Sequence, residues 1–499
     1  MNELDQKDLI YKINVLMKEN KELQQALSKL EKNKEKLEKK IENLEKIIAQ
    51  IPADLLPSNV NVSIGEKSLR FNMVTVLFID IHGFKKISEG ANTQDVIDEL
   101  DQLFFHFKKI ANKYKLQIIK TIGDTFMVAG GVPVKNNTNP IDVVLAGLEM
   151  TKYIIELREE YKSNNKEFWE LRIGINTGAV RATASGKKRI SYDLKGETVN
   201  IATRMATSGD IGKLNISANT YVLVNEYFEC ESHGTLPVKY EGTIEMYYVE
   251  RLKPEYADNE DGTEYNHTFQ VKYALRQFAD LQEFILDKLE KELPDYLYYH
   301  NYKHTIDFVN QAELIGYGEK VTDEEILLLK TAGLFHDSGH IISYQNHEYY
   351  GCQIAKEILP KYNYTDEQIE KICELIMATE MPPKPNNLLE KIMCDSDLDY
   401  LGRIDFIPVS NTLYEELKAQ NKISSLNEWN KLQVKFLTSH QYFTETANKL
   451  REVNKEKQIE RIKSLLEWNS EEEKLNFEKE LEKIALAAEQ RKKELSNKD

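Results

Sequence analysis

Two carboxylates in the first half of the chain have the surroundings that divalent cations and a polyphosphate require. Asp80 lies at the end of a strand-like apolar run, residues 73–81, just before a turn at Gly83 whose backbone N–H groups can approach an anion. Asp124 stands at what reads as a hairpin tip. Oxygen ligands on neighbouring strand ends suit a pair of Mg²⁺ ions that bridge a triphosphate. Either Asp alone is more often structural, so the prediction of a metal site depends on the surrounding segment.

Histidines mark a second candidate site in the other half of the chain. Four of the ten histidines fall in two short motifs, YHNYKH at residues 299–304 and LFHDSGH at 334–340. A single helical His is usually a packing or surface residue, but an adjacent His-Asp pair flanked by further histidines at helical spacing favours a metal. The spacing indicates His304, His336, Asp337 and a later Asp as ligands.

Residues 74–249 resemble the catalytic domain of class III adenylate and guanylate cyclases. The resemblance rests on motifs that occur in the family's order: FIDIHGF at 78–84, TIGD at 121–124, LRIGINTG at 171–178 and GETVNIATRM at 196–205. It implies a ferredoxin-like α/β fold and a reaction in which the ribose 3′-hydroxyl attacks the α-phosphorus and pyrophosphate leaves.

The same resemblance assigns roles to individual residues. It implies that Asp80, Ile81 and Asp124 hold two Mg²⁺ or Mn²⁺ ions and that Gly83 and Phe84 contact the substrate. It also implies that Asn200 and Arg204 stabilise the transition state. These two are four positions apart, so they share one face of a helix. An arginine fork answers the negative charge that spreads over the α-phosphoryl oxygens.

Recognition of the base falls, by this resemblance, to Lys120 and Asp193. Adenine offers an N6 donor and an N1 acceptor, which a carboxylate and an ammonium complement, whereas guanine leaves both side chains mispaired. Such a site discriminates strongly between the two purines, because the wrong base leaves buried polar groups without hydrogen-bond partners. ATP is therefore the expected substrate and cAMP the product. A solvated Lys120, an Asp193 bonded to backbone, and a guanylate cyclase are the alternatives.

Active sites in this family form across a head-to-tail dimer, and this chain carries both sets of residues, so we expect a homodimer with two complete sites. Two positions depart from the family pattern. Glu241 stands where many relatives have a lysine that holds the triphosphate, with Lys239 as a possible substitute, and Lys85 replaces the usual Thr.

Residues 270–450 resemble the HD superfamily of metal-dependent phosphohydrolases. YHNYKH and IMATEM at 376–381 are similar to cyclic-nucleotide phosphodiesterases in particular. The resemblance implies one or two divalent ions (Zn²⁺, Mn²⁺, Mg²⁺ or Fe²⁺) and protonation of the leaving oxygen by His300. Its last ligand fits Asp397 best, with Asp395 as the alternative. This half either hydrolyses a phosphodiester such as cAMP or is a non-catalytic regulatory module that binds metal or nucleotide; the presence of His300 favours the hydrolase.

The elements that must position these residues follow from apolar periodicity. A leucine heptad with a polar Asn20 at an a position predicts a parallel two-stranded coiled coil at residues 1–51. The chain as a whole is expected to be a multidomain α+β protein, with an α/β cyclase domain followed by an all-α HD domain. The expected boundaries are a connector at 52–72, the cyclase domain at 73–252, a linker at 253–269, the HD domain at 270–450 and one charged helix at 451–499.

Bulk composition limits the partners. The 499 residues include 66 Lys and Arg against 82 Asp and Glu, a net charge of -16, so a nucleic-acid partner is not expected. No apolar run reaches the length of a membrane span, and the four cysteines are scattered without CxxC spacing, which is typical of reduced thiols. A cytoplasmic location is expected.

Overall fold

The structure is a computed structural model that describes residues 68–82, 93–122, 125–165, 168–185, 191–238 and 242–496. The coiled coil expected at 1–51 lies outside the described residues. The chain divides into two compact units, Met1–Leu69 with Thr183–Asp193 and Arg70–Ala182 with Leu194–Asp499. Of the first unit, the structure describes only strand ends. The second unit contains nearly all of the described elements.

The first half is an α/β domain built on one sheet with the order β2-β3-β1-β4-β6-β8-β7, in which β5 pairs with β4. Strand β1 is antiparallel to β3, and β4 is parallel to β6. The elements are β1 Ser68–His82, α1 Thr93–Lys113, β2 Gln117–Ile122, β3 Thr125–Gly130, α2 Asn139–Ser163, β4 Glu170–Ser185, β5 Ser191–Lys195, α3 Glu197–Ser208, β6 Leu214–Ser217, α4 Ala218–Val224, β7 Phe228–Val238 and β8 Gly242–Leu252.

Strand β1 lies in the centre of this sheet because its residues are apolar on both faces. Val76, Leu77 and Ile79 are all fully buried, as expected of a strand covered on both sides. Phe107 of α1 and Phe126 of β3 fill the adjoining core. The end of β1, where Asp80 lies, is therefore held by a packed strand.

The second half is entirely helical, and two of its helices begin with a complete capping box, Thr322 with Glu325 and Thr365 with Gln368. Among the described residues, no helix is both long enough and apolar enough to cross a bilayer. The helices are α5 His267–Glu292, α6 Tyr302–Gly318, α7 Asp323–Phe335, α8 His347–Ile358, α9 Asp366–Met377, α10 Leu388–Asp397, α11 Phe406–Ala419, α12 Leu426–Ser439, α13 Glu445–Lys463 and α14 Glu471–Ser496.

Two segments differ from the sequence-based expectation. The stretch expected as a linker is folded, with a 3₁₀ turn at Pro254–Tyr256 and a bridge between Ala257 and Tyr265, because the Asn266 side chain bonds its backbone. Instead of one helix after residue 451, the chain has α13 and α14. The break allows α14 to fold back on α12 and bury Phe477.

Candidate active sites

Three helix ends in the helical half bring histidine and aspartate side chains together. The Asn301 side chain caps α6 by accepting a backbone N–H of its first turn, which places His304 in that turn. His336 directly follows α7, and Asp337 comes next in the chain. Asp397 is the last residue of α10. These two histidines and two aspartates therefore lie at the ends of three separate helices, and the three helix ends meet at one place.

The side-chain atoms of these residues converge on one point. His304 Nε2 lies 3.2 Å from Asp397 Oδ1 and 3.3 Å from His336 Nε2. His336 Nε2 lies 3.2 Å from Asp337 Oδ2. Two imidazole nitrogens and two carboxylate oxygens thus face each other in a largely buried space.

The residues present fit a divalent cation. His336 Nδ1 donates to the carbonyl of Gly333 at 2.8 Å, which leaves the lone pair of Nε2 free to bind a metal. The buried Asp337 Oδ2 has no hydrogen-bond partner among the described residues, although His336 lies close to it. Lone pairs that converge in this way suit a cation with mixed nitrogen and oxygen ligands. We call this group of His304, His336, Asp337 and Asp397 the metal cluster.

The carboxylates give the metal cluster a strong attraction for positive charge. Burial opposes protonation of His336, but Asp337 and Asp397 outweigh it and raise the pKa of His336 to about 9. Burial also opposes ionisation of Asp337, but His336 holds the pKa of that carboxyl well below its usual range. Protons and a divalent cation compete for the same site, so metal binding releases protons.

A second group of histidines surrounds the other oxygen of Asp337. His347 Nε2 lies 3.4 Å and His340 Nε2 3.8 Å from Asp337 Oδ1, and the two rings stack with centroids 4.0 Å apart. Neither ring nitrogen of His340 has a hydrogen-bond partner in the described part of the chain, and burial lowers the pKa of His340 to about 3. Ligand atoms of His300, Asp337 and His340 lie within 4.8 Å of one another. Asp337 is therefore shared between this histidine group and the metal cluster.

His300 is held by an acidic residue far away in the sequence. Its Nδ1 lies 2.5 Å from Glu416 Oε1, and Glu416 Oε2 accepts the backbone N–H groups of Tyr299 and His300 at 2.9 and 3.1 Å. Burial lowers the pKa of His300, but Glu416 and Asp337 outweigh it and the pKa is raised. The Nδ1 of His300 is thus committed to Glu416, which leaves Nε2 available to a ligand.

The two aspartates left open by the sequence have different surroundings. Asp395 is fully buried and accepts hydrogen bonds from Phe443 N, Thr444 N and Thr444 Oγ1, the last at 2.7 Å. Its oxygens therefore anchor the start of α13. Asp397, by contrast, points to His304 in the metal cluster.

In the α/β domain, Asp80 lies near the end of β1, opposite Thr125 on β3, and Ile81 is buried beside it. Asn200 is exposed on the first turn of α3, and Arg204 one turn later donates to the carbonyl of Pro237. The two groups are on different elements, since Asp80 is on a strand and the other two residues are on α3, a helix that packs against β4 and β6.

Lys120 is exposed on β2, where the pairing with β3 shifts register between Ile118 and Lys120. Asp193 is exposed on β5 in the first compact unit. The remaining predicted positions lie outside the described residues: Gly83, Phe84, Lys85, Asp124, Lys239 and Glu241.

Comparison with known families agrees with both resemblances. A family model for the adenylate and guanylate cyclase catalytic domain matches residues 66–251, and a model for the HD domain matches residues 301–399. The chain carries a class III cyclase catalytic domain followed by an HD domain.

Relatives of the cyclase domain include enzymes named for either purine. The chain is 33% identical over 189 residues to the receptor-type guanylate cyclase gcy-8 of Caenorhabditis elegans, covering 37% of this chain and 16% of that protein. It is 28% identical over 202 residues to an adenylate cyclase of Mycobacterium tuberculosis, covering 40% of this chain and 45% of that protein. Among solved structures, the adenylyl cyclase CyaB of P. aeruginosa is 30% identical with a TM-score of 0.35, covering 38% of this chain and 98% of that one. The chain therefore spans less than half the length of both curated relatives.

The HD domain has an apolar cavity beside the metal cluster. Its volume is about 330 Å³, and it reaches both His300 and Asp397. The walls are mainly aromatic and aliphatic, with one amide: Tyr299, Tyr400, Phe406, Trp429, Gln433 and Phe436. A cavity of this size with an apolar, partly aromatic lining is typical of sites that bind small ligands.

Sequence reasoning missed Glu416 and His347. Glu416 lies on α11, more than a hundred residues after His300, and nothing in its local sequence distinguishes it from other helical glutamates. His347 begins α8 shortly after LFHDSGH, so the density of histidines in this stretch was the signal that could have found it.

Proposed function

We propose that the cyclase domain converts ATP to 3′,5′-cyclic AMP and pyrophosphate at sites shared between two copies of the chain. The observation that carries this proposal is the pairing of Asp80 with Thr125, the residue that follows Asp124 in the sequence. Asp80 thereby lies beside the first residue of β3, and Asp124 directly precedes that residue in the sequence. Carboxylates at neighbouring strand ends are what two Mg²⁺ or Mn²⁺ ions require. The bound cations supply positive charge to the triphosphate.

The transition-state residues in this proposal are Asn200 and Arg204. They lie one turn apart on α3, so both side chains can reach one phosphoryl group. Arg204 can exchange its bond to the Pro237 carbonyl for the developing charge on the α-phosphate, which is the stronger partner for a guanidinium.

The choice of ATP over GTP rests on Lys120 and Asp193. Lys120 stands at a strand bulge, a feature that commonly redirects a side chain beside an active site. An ammonium and a carboxylate complement N1 and N6 of adenine. The guanylate cyclase among the relatives makes GTP the competing candidate.

We also propose that the HD domain hydrolyses the phosphodiester of a cyclic nucleotide, with cAMP as the candidate substrate. His300 supports this because Glu416 fixes its orientation and raises its pKa, as a general acid for the leaving oxygen requires. The aromatic cavity supports a substrate with a planar base. A regulatory module that binds a nucleotide without cleaving it is the second candidate.

The test is to incubate the purified chain with Mn²⁺ and either ATP or GTP, and to follow substrate, cyclic product and monophosphate over time. We expect cAMP to form faster than cGMP and then to decline as AMP appears. Asp80→Ala should abolish synthesis while leaving hydrolysis of added cAMP intact, and Asp101→Ala, an exposed change on α1, is the control.

Faster cyclisation of GTP would reassign Lys120 and Asp193. Absence of any cyclic product with both nucleotides would end the cyclase proposal. Stable cAMP in the presence of active cyclase would leave the HD domain as a regulatory module.

A further inference from the structure

One helix belongs to the hydrophobic cores of both domains. Phe269, in the first turn of α5, is 2% exposed and packs in the core of the cyclase domain. Phe278 and Leu281, further along the same helix, are 3% and 0% exposed in the core of the HD domain. Because α5 runs without a break from His267 to Glu292, its two ends move together.

The middle of α5 binds the segment that leads into α2. Asp280 accepts the backbone N–H of Asn137 at 2.9 Å and its side-chain Nδ2 at 2.8 Å. Arg276 donates from Nε to the carbonyl of Asn137 at 2.9 Å and from Nη1 to the carbonyl of Leu223, at the end of α4, at 3.1 Å. Every polar backbone group of Asn137 is thereby bound by the helix.

Tyr273 makes a third connection one turn earlier. Its hydroxyl donates to Asp142 Oδ1 at 2.7 Å, and Asp142 Oδ2 accepts from Thr138 Oγ1 at 2.9 Å. These contacts are largely buried, so their loss leaves polar groups unsatisfied. We call Tyr273, Arg276 and Asp280 the clamp.

The segment bound by the clamp holds the strand of Asp80. Asn139, two residues after Asn137, is fully buried, and its Oδ1 accepts Thr75 N at 3.0 Å and Thr75 Oγ1 at 2.7 Å. Thr75 lies on β1, the same strand that carries Asp80. The position of β1 along its axis therefore depends on Asn139.

The same buried network reaches the helix of Asn200. Thr75 Oγ1 lies 2.9 Å from Thr177 Oγ1 on β4, and the neighbouring Asn176 donates to the carbonyl of Thr198 at 3.1 Å. Thr198 is in the first turn of α3, two residues before Asn200. Metal-binding and transition-state residues are thus tied to one set of hydrogen bonds.

At its other end, α5 packs against α7, the helix that leads into His336 and Asp337. Lys330 of α7 places its Nζ 5.1 Å from the centroid of the Phe278 ring. A continuous series of contacts therefore connects the metal cluster of the HD domain with the clamp.

From these contacts we propose that the clamp on α5 of the HD domain positions the catalytic residues of the cyclase domain. Tyr273, Arg276 and Asp280 act through Asn137 and Asn139 and touch no substrate, so they are positioning residues. The cyclase then works at full rate only with α5 docked. This inference rests on the proposed cyclase activity, whichever purine is used.

The experiment compares Asp280→Ala and Tyr273→Phe with Glu283→Ala, an exposed change on the same helix. Displacing catalytic groups by a fraction of an ångström slows chemistry strongly, so kcat for cyclisation should fall about tenfold in Asp280→Ala. KM for the nucleotide should change by less than about twofold, and the half-saturating Mn²⁺ concentration should rise. Tyr273→Phe should show a smaller change in the same direction, and Glu283→Ala none.

Assays are run well below the unfolding temperature of each variant, so a general loss of stability does not lower kcat or shift the Mn²⁺ requirement. A folded Asp280→Ala protein with wild-type kcat and Mn²⁺ dependence would overturn the proposed positioning role of the clamp. If Asp280→Ala does not fold, Tyr273→Phe decides, because it removes one hydroxyl only, and wild-type kinetics there would equally overturn the clamp. A wild-type chain that forms no cyclic nucleotide overturns the proposed function and, with it, this inference.

Discussion

Glu416 fixes the orientation of the His300 ring and favours its protonated form. One of its oxygens faces His300 Nδ1, and the other accepts two backbone N–H groups, so both oxygens of the carboxylate are held in place. Burial would make His300 neutral, and Glu416 is the largest influence that raises its pKa instead. The acid form of His300 therefore depends on a residue outside the histidine motifs.

Glu416→Gln should reduce cAMP hydrolysis and change its pH dependence. Without the negative charge, the pKa of His300 falls, so the acid is lost at lower pH and the alkaline limb of the rate profile moves to lower pH. Near neutral pH we expect about a tenfold lower kcat, because the variant loses only part of the roughly 10²–10⁴-fold that general acid catalysis contributes. The measurement is a pH profile of hydrolysis with Mn²⁺, with Glu415→Gln at the exposed neighbouring position as control. A Glu416→Gln profile superimposable on that of the control would refute this role.

Part of the HD site follows from the sequence, and part does not. His304, His336 and Asp337 could be named because each lies in a short motif with helical spacing, and the structure brings them together at two helix ends. Glu416 and His347 join the site only through tertiary packing, which local patterns do not contain. The sequence leaves Asp395 and Asp397 as alternatives, and it does not contain the tertiary hydrogen bonds that join Asp395 to the start of α13.

Among the helices and strands, α5 is the one whose packing the sequence predicts least well. Its apolar residues predict a buried helix but do not say that two different cores share it. The strands are easier to predict from the sequence, because uninterrupted apolar runs such as that of β1 indicate a strand covered on both faces. The C-terminal region is harder to predict, because its many charged residues obscure the pattern of apolar residues through which α14 packs against α12.

Phe269→Ala should destabilise the chain far more than Phe284→Ala on the same helix. Phe269 is buried among Tyr227, Tyr256 and Tyr273, whereas Phe284 is 48% exposed. Removing a buried ring leaves a cavity, so the free energy of unfolding should fall by about 3–5 kcal/mol. The exposed change should cost no more than about 0.5 kcal/mol. Denaturant unfolding of both variants is the measurement, and equal midpoints would show that Phe269 does not anchor α5 in the cyclase core.

At the scale of the whole molecule, the proposed cyclase residues divide into two groups on one chain. Asp80 lies on β1, while Asn200 and Arg204 lie on α3, a helix that packs against β4 and β6. One copy thus carries the proposed metal ligand on a strand and the proposed transition-state residues on a helix. Two copies in a symmetric arrangement can bring one group from each chain to every site, which is why a homodimer belongs to the proposal.

Mixing two inactive variants should restore activity if the sites are shared. Asp80→Ala lacks a metal ligand and Asn200→Ala lacks a transition-state residue, so each homodimer is inactive. A mixed dimer has one site with both defects and one site with neither. With random exchange of subunits, half of the dimers are mixed, and the rate should recover to about a quarter of the wild-type value.

The measurement is cyclic nucleotide formation after co-refolding or co-expression with two different affinity tags, which verifies that mixed dimers formed. The control is a mixture of Asp80→Ala with Asp80→Ala,Asn200→Ala, in which no site can be intact. No recovery in the test mixture despite verified exchange would mean that each chain builds its own site, whereas recovery in the control would mean that Asp80 is not required for synthesis.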